Sequence, residues 1–334
     1  MNDQEVDYAQ LLKRRHMIAR GFEWGCRLAT FSALLFLGIL LLGVVWQAWG
    51  WLDWQYLTSF DSRRPMRAGL LAGIWGTFWL ILFTALFTVP IGVGAAVFLE
   101  EYSRDNWFSR IIKVNLANLA GVPSIVYGML GVTAFVRFFG SVSAADELAI
   151  VTNLGFGILR IPLPLGRCLL AGSCTLSLLI LPIVIIASQE ALRAVPGSIR
   201  HASYALGATK WQTIRHQVLP AATPGISTGI ILSLSRAMGE TAPLIMIGAL
   251  TYLAFAPGNL NTPMDGIHDP QKVLDAPFDM FTSIPIQVFN WVGQPKADFQ
   301  HVAAAGSLVL LVVLVAFNAT AIVIRNLAQK RISW

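Results

Sequence analysis

At 334 residues, 55% hydrophobic and only 13% charged, with a mean hydropathy of +0.63, the chain falls outside the soluble globular class, where about a quarter of residues are charged. A formal net charge of +6 could suggest nucleic acid as a partner. The basic residues, however, fall in short clusters between apolar runs and not on one soluble module, which excludes that reading; eleven Trp suit the aromatic belts of a membrane protein.

In chain order, a polar lead over residues 1–27 comes first, and it is expected to be a cytoplasmic segment. Its length, the length of the apolar run after it and the lack of a small-residue cleavage site argue against a removable signal peptide. That first run, Leu28 to Trp51, predicts a transmembrane helix with its outer loop over 28–69. Further windows of about 17 to 25 apolar residues follow at Leu70 to Leu99, Val114 to Phe139, Leu169 to Ser188, Ala221 to Leu250 and Val302 to Ile324. The expected fold class is all-α, a polytopic membrane protein of about six spans whose main transmembrane domain covers 70–330. The second and fifth windows exceed a bilayer's need and contain Pro90, Pro224 and Pro243, so kinks or extensions are expected there.

Lys and Arg fall unevenly between the spans. One side collects Lys13, Arg14, Arg15, Arg20, Arg27, Arg104, Arg110, Lys113, Arg193, Arg200, Lys210, Arg215, Arg325, Lys330 and Arg331, whereas the other collects only Arg63, Arg64, Arg67, Arg137, Arg160, Arg167, Lys272 and Lys296, and its longest loop is acidic at Asp265, Asp269, Asp275, Asp279 and Asp298. By the positive-inside rule both termini are cytoplasmic, in a plasma (inner) membrane crossed several times.

In the third window, Ser124 and Tyr127 follow Pro123. Their hydroxyls either line a polar path or satisfy carbonyls freed by the proline. Cys26, Cys168 and Cys174 lack metal or redox spacing and read as small buried hydrophobes. The five His are scattered and no catalytic constellation is present, so the chain is not expected to be an enzyme.

The cytoplasmic stretch from Gln189 to Pro220 reads as two short helices and a sharp turn. Pro196 starts the first, small Ala202 and Ala205 permit close approach by a partner, and Gly207 suits a left-handed cap. Thr209 with Gln212 resembles a capping box that opens the second helix at Lys210. There Trp211, Ile214 and Val218 recur at helical spacing as one apolar stripe. The stripe either docks a partner or packs on the protein's own helices.

Near the centre of the run from Ala221 to Leu250 stand two opposite charges, Arg236 and Glu240. A charge at mid-bilayer depth costs roughly 2.5 to 3.5 kcal/mol on insertion scales, so it is expected to face a bundle interior or an aqueous path. Four residues apart on a helix, the two can neutralise each other, either as a structural lock or as part of a site. In the outer loop, Pro285 and Asn290 mark either a short re-entrant or interfacial segment or a plain surface loop.

The string Ala202-Ser203-Tyr204-Ala205-Leu206-Gly207-Ala208-Thr209-Lys210-Trp211-Gln212-Thr213-Ile214, closed by Leu219-Pro220, resembles the EAA loop of ABC-transporter permeases, with His201-Ala202-Ser203 in place of the opening Glu-Ala-Ala and Gln217 before Val218 where the family has Ile. Arg236-Ala237-Met238-Gly239-Glu240-Thr241-Ala242-Pro243 and Gly121-Val122-Pro123-Ser124-Ile125-Val126-Tyr127-Gly128 resemble the phosphate-specific permeases. Ile284-Pro285-Ile286-Gln287-Val288-Phe289-Asn290-Trp291 and Ala303-Ala304-Ala305-Gly306 point to their PstA branch rather than the PstC partner.

This resemblance implies a type I importer: a second, PstC-like permease, two PstB-like ATPases on the cytoplasmic side and an external PstS-like phosphate-binding protein, with phosphate as substrate, membrane lipid around the chain and no nucleic acid. It implies an ATPase-coupling loop carried by Ala202, Ala205, Gly207, Thr209, Trp211, Leu219 and Pro220, and a substrate path carried by Arg236, Glu240, Thr241, Ser124 and Tyr127. The sequence holds no Gly-x-x-x-x-Gly-Lys-Ser/Thr loop, so no cofactor is expected on this chain and ATP and Mg belong to the partner ATPase. Two other classes stay open: a permease for another oxyanion such as molybdate or phosphonate, and a non-transport membrane scaffold.

Overall fold

A computed structural model of the chain describes residues 3–103, 106–137, 148–153, 158–163, 165–259 and 270–330. The first helix, α1 (Asp3–Ala48, 46 residues), fuses the polar lead to the first apolar run. The expected division at residue 27 is therefore not a structural boundary. No proline precedes Pro65, so nothing breaks the helix where its composition changes. At 1.5 Å per residue it is about 70 Å long, well over the ~30 Å of a bilayer's hydrocarbon core. A short helix α2 (Trp54–Thr58) and a 3-10 turn (Pro65–Arg67) lead back to the bundle.

The second span, α3 (Leu71–Val97), runs on through a π turn (Phe98–Tyr102). The third window is not one straight helix. Amphipathic α4 (Trp107–Ala120) and α5 (Ser124–Gly131), continued by a π turn to Arg137, meet at an angle of 104°. The cause is Gly121-Val122-Pro123: a proline disfavours the helical region for the residue before it and lacks an N–H to continue the ladder. Beyond the bend the all-α bundle carries one small added element. An antiparallel hairpin of β1 (Leu148–Asn153) and β2 (Ile158–Leu163) sets Leu148 opposite Leu163 and Asn153 opposite Ile158. The β-branched run Ile150-Val151-Thr152 favours extended backbone.

The fourth span, α6 (Leu169–Arg193), leads into α7 (Gly197–Ala205) and α8 (Lys210–Thr213). A π turn (Ile214–Val218) joins α8 to α9 (Leu219–Met238) without a break. The fifth span therefore begins at Lys210, inside what reads as a separate loop helix, and stops at Met238. Gly239 and Pro243 end it, and α10 (Ala242–Ile247) is a separate short helix. After α11 (Pro270–Asp275) and α12 (Ile284–Val292), the last span lies within α13 (Asp298–Lys330). Among the described residues five helices are long and apolar enough to cross a membrane, or six where the bent pair is counted as one span.

Within a bilayer, helices gain little from hydrophobic burial and associate through close packing and interhelical hydrogen bonds. The contact of α3 with α6 follows that rule. Ser173 Oγ donates to the Leu80 carbonyl, Thr84 Oγ1 to that of Ser173 and Ser177 Oγ to that of Thr84, each at 3.4 Å. The segment around Pro285 is not a plain surface loop. As α12 it is packed into the protein, with Ile284, Pro285, Ile286, Gln287 and Trp291 buried, while Asn290 Nδ2 donates to the Thr251 carbonyl at 3.1 Å.

Candidate functional site

Arg236 occupies the last turn of α9, and Glu240 lies just beyond the helix end. The pair survives the break because the Gly239 and Glu240 N–H groups fold back onto the Arg236 and Ala237 carbonyls at 3.1 and 3.2 Å. Arg236 Nε meets Glu240 Oε1 at 3.4 Å in a single contact, with the Arg side chain 55% exposed and the Glu 17%. This is not a buried, forked lock. One nitrogen is engaged at the long limit of a hydrogen bond, and the two terminal nitrogens have no partner among the described residues. A guanidinium so placed can offer its planar fork to an anion.

Two strings 115 residues apart converge beside this turn. A Cβ on Gly128 of α5 would lie 2.8 Å from Pro243 Cα and 2.9 Å from Met246 Cβ of α10, so the close crossing of α5 and α10 requires a residue without a side chain. Tyr127, 5% exposed, packs with Leu234, Ala237 and Met238 of α9. Its hydroxyl donates to the Leu119 carbonyl at 2.8 Å, across the Pro123 break. Of its two expected roles, the structure displays the capping of a freed carbonyl. Ser124 is half-buried at the start of α5, and Thr241 is the N-cap residue of α10 without a side-chain cap bond. No described contact joins Ser124 to Arg236 or Glu240.

Between α6 and α9, the loop forms as its spacing predicts. Pro196 is the N-cap of α7. Gly207 takes φ +80°, with its N–H on the Tyr204 carbonyl at 2.9 Å and the Ala208 N–H on that of Ser203 at 3.2 Å, a Schellman cap. The capping box is complete: the Gln212 N–H reaches Thr209 Oγ1 at 3.3 Å and the Thr209 N–H reaches Gln212 Oε1 at 2.8 Å. Leu219 and Pro220 open α9.

The stripe does not hold together. Ile214 and Val218 are fully buried in a core with Leu99, Leu192 and Ala222, whereas Trp211 is 54% exposed. Ile214 and Val218 stay on one buried face across the π turn, in which the Leu219 N–H reaches back to Ile214, while Trp211, before that turn, is not part of the core that covers them. Ala202, Ala205, Gly207, Thr209 and Trp211 are exposed. Between the two helices lies an open hollow of about 560 Å³ walled by Ile199, Ala202, Leu206 and Gln212 among others.

Sequence reading missed three residues here. Leu206, 90% exposed, sits at the apex of the quoted string and was legible as an apolar residue between Ala205 and the cap. Glu100 and Glu101 in the π turn of α3 bind Arg193 and Arg200; their partners are 93 and 99 residues away, beyond any local pattern. The cysteines are free, with Cys168 buried and Cys174 half-buried, but Cys26 is exposed on α1 and does not fit the buried-hydrophobe reading. Among the described residues no group of His, Cys, Asp and Glu could hold a metal.

Residues 88–333 match the family described as binding-protein-dependent transport system inner membrane component. The chain is 30% identical to the phosphate transport system permease protein PstA 1 of Mycobacterium tuberculosis over 305 residues, covering 88% of this chain and 86% of that one. It is 35% identical to the probable ABC transporter permease protein YqgH of Bacillus subtilis over 196 residues, 58% of this chain and 57% of that relative's length. Its fold is similar to a chain of a bacterial alginate ABC transporter crystallised in complex with an alginate pentasaccharide-bound periplasmic protein, with a TM-score of 0.55 at 15% identity over 95% of this chain and 94% of that one. The chain therefore belongs to the binding-protein-dependent transport system inner membrane components, as a multi-pass permease subunit of the ABC-importer type that resembles the PstA permeases.

Proposed function

We propose that the chain is the PstA-type subunit of an ATP-driven importer of inorganic phosphate, supplying one half of the translocation path and docking an ATPase through α7 and α8. The observation that carries the phosphate reading is Arg236. Its guanidinium stands half-exposed at the broken end of α9, with two nitrogens unengaged among the described residues, beside the crossing of the two strings that resemble phosphate permeases. A guanidinium stays charged at any working pH and its fork matches phosphate oxygens. Glu240 competes for it, which allows release when the site changes state. Thr241 and Ser124 add hydroxyl groups near this path, and Tyr127 braces it.

The partners follow from the same reading: a PstC-like second permease, two PstB-like ATPases that use ATP and Mg, and a PstS-like external phosphate-binding protein. The hollow between α7 and α8, with Leu206 and Trp211 presented outward, suits insertion of the loop into an ATPase groove. Both termini lie in the cytoplasm of a bacterial plasma membrane. The test is uptake of labelled phosphate into vesicles holding the complete complex. Uptake that needs ATP and is competed by arsenate but not by molybdate supports the assignment; competition by molybdate or phosphonate assigns the other oxyanion, and association without substrate-stimulated ATP hydrolysis assigns a scaffold.

A further inference from the structure

The π turn that ends α3 carries two consecutive carboxylates with different tasks. Successive residues on a helix point about 100° apart, so Glu100 and Glu101 reach different neighbours. Glu100 accepts Nε and Nη2 of Arg193 from α6, both at 3.1 Å, and lies 3.9 Å from Lys113 Nζ of α4. Glu101, whose side chain is only 8% exposed, accepts Nη2 and Nε of Arg200 from α7 at 2.8 and 3.3 Å.

Arg200 does more than pair. Its Nη1 donates to the Val195 carbonyl, just past the end of α6, at 2.7 Å, and its Nη2 at 2.9 Å to the Leu192 carbonyl, which also takes the Val195 N–H at 3.3 Å. One planar group thus joins three elements: the end of α3, the end of α6 and the helix α7. A second tie lies nearby, where Lys210 Nζ stands 5.1 Å from the Tyr102 ring centroid. The fork is thus the polar anchor of α7 to the ends of α3 and α6, beside the packing of Ile199 against the core around Leu192 and the Ser203–Thr213 hydroxyl bond to α8. Loosening that anchor would let a push on Leu206 move α7 more than the two spans.

We propose that Glu101 and Arg200 are positioning residues for energy coupling, fixing α7 rigidly to α3 and α6 so that displacement of the docked loop moves both spans together. This rests on the coupling-loop reading above. It requires the planar fork and not merely a positive charge, because an ammonium cannot engage the carboxylate and both carbonyls in one plane.

The test reconstitutes the complete complex in lipid vesicles and reads phosphate taken up per ATP hydrolysed, normalised to assembled complex. Glu101→Gln and Arg200→Lys are expected to retain the ATPase subunits and hydrolyse ATP while that ratio falls by about fivefold or more. Glu101→Asp, which keeps the charge, recovers part of it. Glu190→Gln, altering an exposed carboxylate on the same end of α6, leaves the ratio unchanged. Should Glu101→Gln fail to assemble, Arg200→Lys and Glu101→Asp carry the measurement. An unchanged ratio in the assembled variants, whatever their yield, overturns the inference. Failure of the unaltered chain to recover an ATPase, or to take up phosphate, would instead overturn the functional reading on which it rests.

Discussion

The Trp291 indole donates to Asp61 Oδ1 at 3.0 Å, joining residues 230 positions apart. The Ser62 N–H adds a second bond to the same oxygen at 2.8 Å. Both favour the carboxylate, yet burial outweighs them and raises the Asp61 pKa above its ordinary 3.8. A raised carboxyl pKa means that the folded chain binds the proton more tightly than the unfolded one, so this group's contribution to stability falls as pH rises from near 3.8 upward.

Asp61→Asn keeps an oxygen for both donors and removes the charge. Its thermal midpoint at pH 7.5 is expected to equal or exceed that of the unaltered protein, with the gap narrowing toward pH 4. A variant less stable at pH 7.5 would show that the ionised group is required. Trp291→Phe deprives the buried carboxyl of a donor and is expected to cost about 1 to 3 kcal/mol.

Tyr127 separates bracing from transport. Tyr127→Phe leaves the ring packed against Leu234 and Met238 but removes the hydroxyl bond to the Leu119 carbonyl, which keeps the Val122 N–H, a loss of about 1 kcal/mol. Lower thermal stability of the complex with unchanged KM for uptake is expected. A raised KM with unchanged stability would return the hydroxyl to the substrate path.

In the coupling loop, Gly207→Val forces a branched side chain into a left-handed conformation at φ +80°, which costs roughly 1 to 2 kcal/mol or more. Leu206→Asp and Trp211→Asp put charges on exposed apolar positions that the docking surface is expected to cover. All three should insert in the membrane while recovering less ATPase on co-purification. Ile214→Asp is different: it buries a charge in the permease core and should reduce the amount of inserted protein. Normal ATPase recovery with Leu206→Asp and Trp211→Asp would remove this surface from the interface.

How far the sequence could be read follows the distance over which each feature is encoded. The Thr209 and Gln212 capping box and the Gly207 cap are local chemistry, and both form as their spacing predicts. Ile214, Val218 and Trp211 recur at helical spacing, but the core around Leu99 and Leu192 covers only Ile214 and Val218, and how far a core reaches along a helix is not written in the spacing. The bend at Pro123 was visible as a proline, but its 104° angle is fixed by where α4 and α5 pack. The Glu101 and Arg200 bridge, like Asp61 with Trp291, depends on chain ends that meet only in the folded bundle.

Orientation is tested by single cysteines introduced into a chain with its native three replaced. Cysteines at Asn259 or Asp275 are expected to react with a membrane-impermeant thiol reagent from outside, and those at Gln212 or Gln329 only after permeabilisation. The reverse pattern would overturn the charge-bias argument.

Arg236 and Glu240 decide whether the path carries the anion through this subunit. The single 3.4 Å contact and the half-exposed guanidinium describe a pair that can open, so removing it should cost little in assembly. Arg236→Lys keeps the charge and loses the fork, and uptake should fall by about 10-fold or more while ATP hydrolysis and association persist, in keeping with the ~2 kcal/mol typical of a charge-assisted hydrogen bond. Glu240→Gln removes the competitor for the guanidinium and should slow turnover while lowering KM. If the pair instead served as a structural lock, each single variant would leave an uncompensated charge and the complex would lose several kcal/mol of stability. The double variant Arg236→Gln with Glu240→Gln removes both charges together. A stable complex that hydrolyses ATP and moves no phosphate is the expected outcome; recovery of uptake in that double variant would sink the substrate role of Arg236.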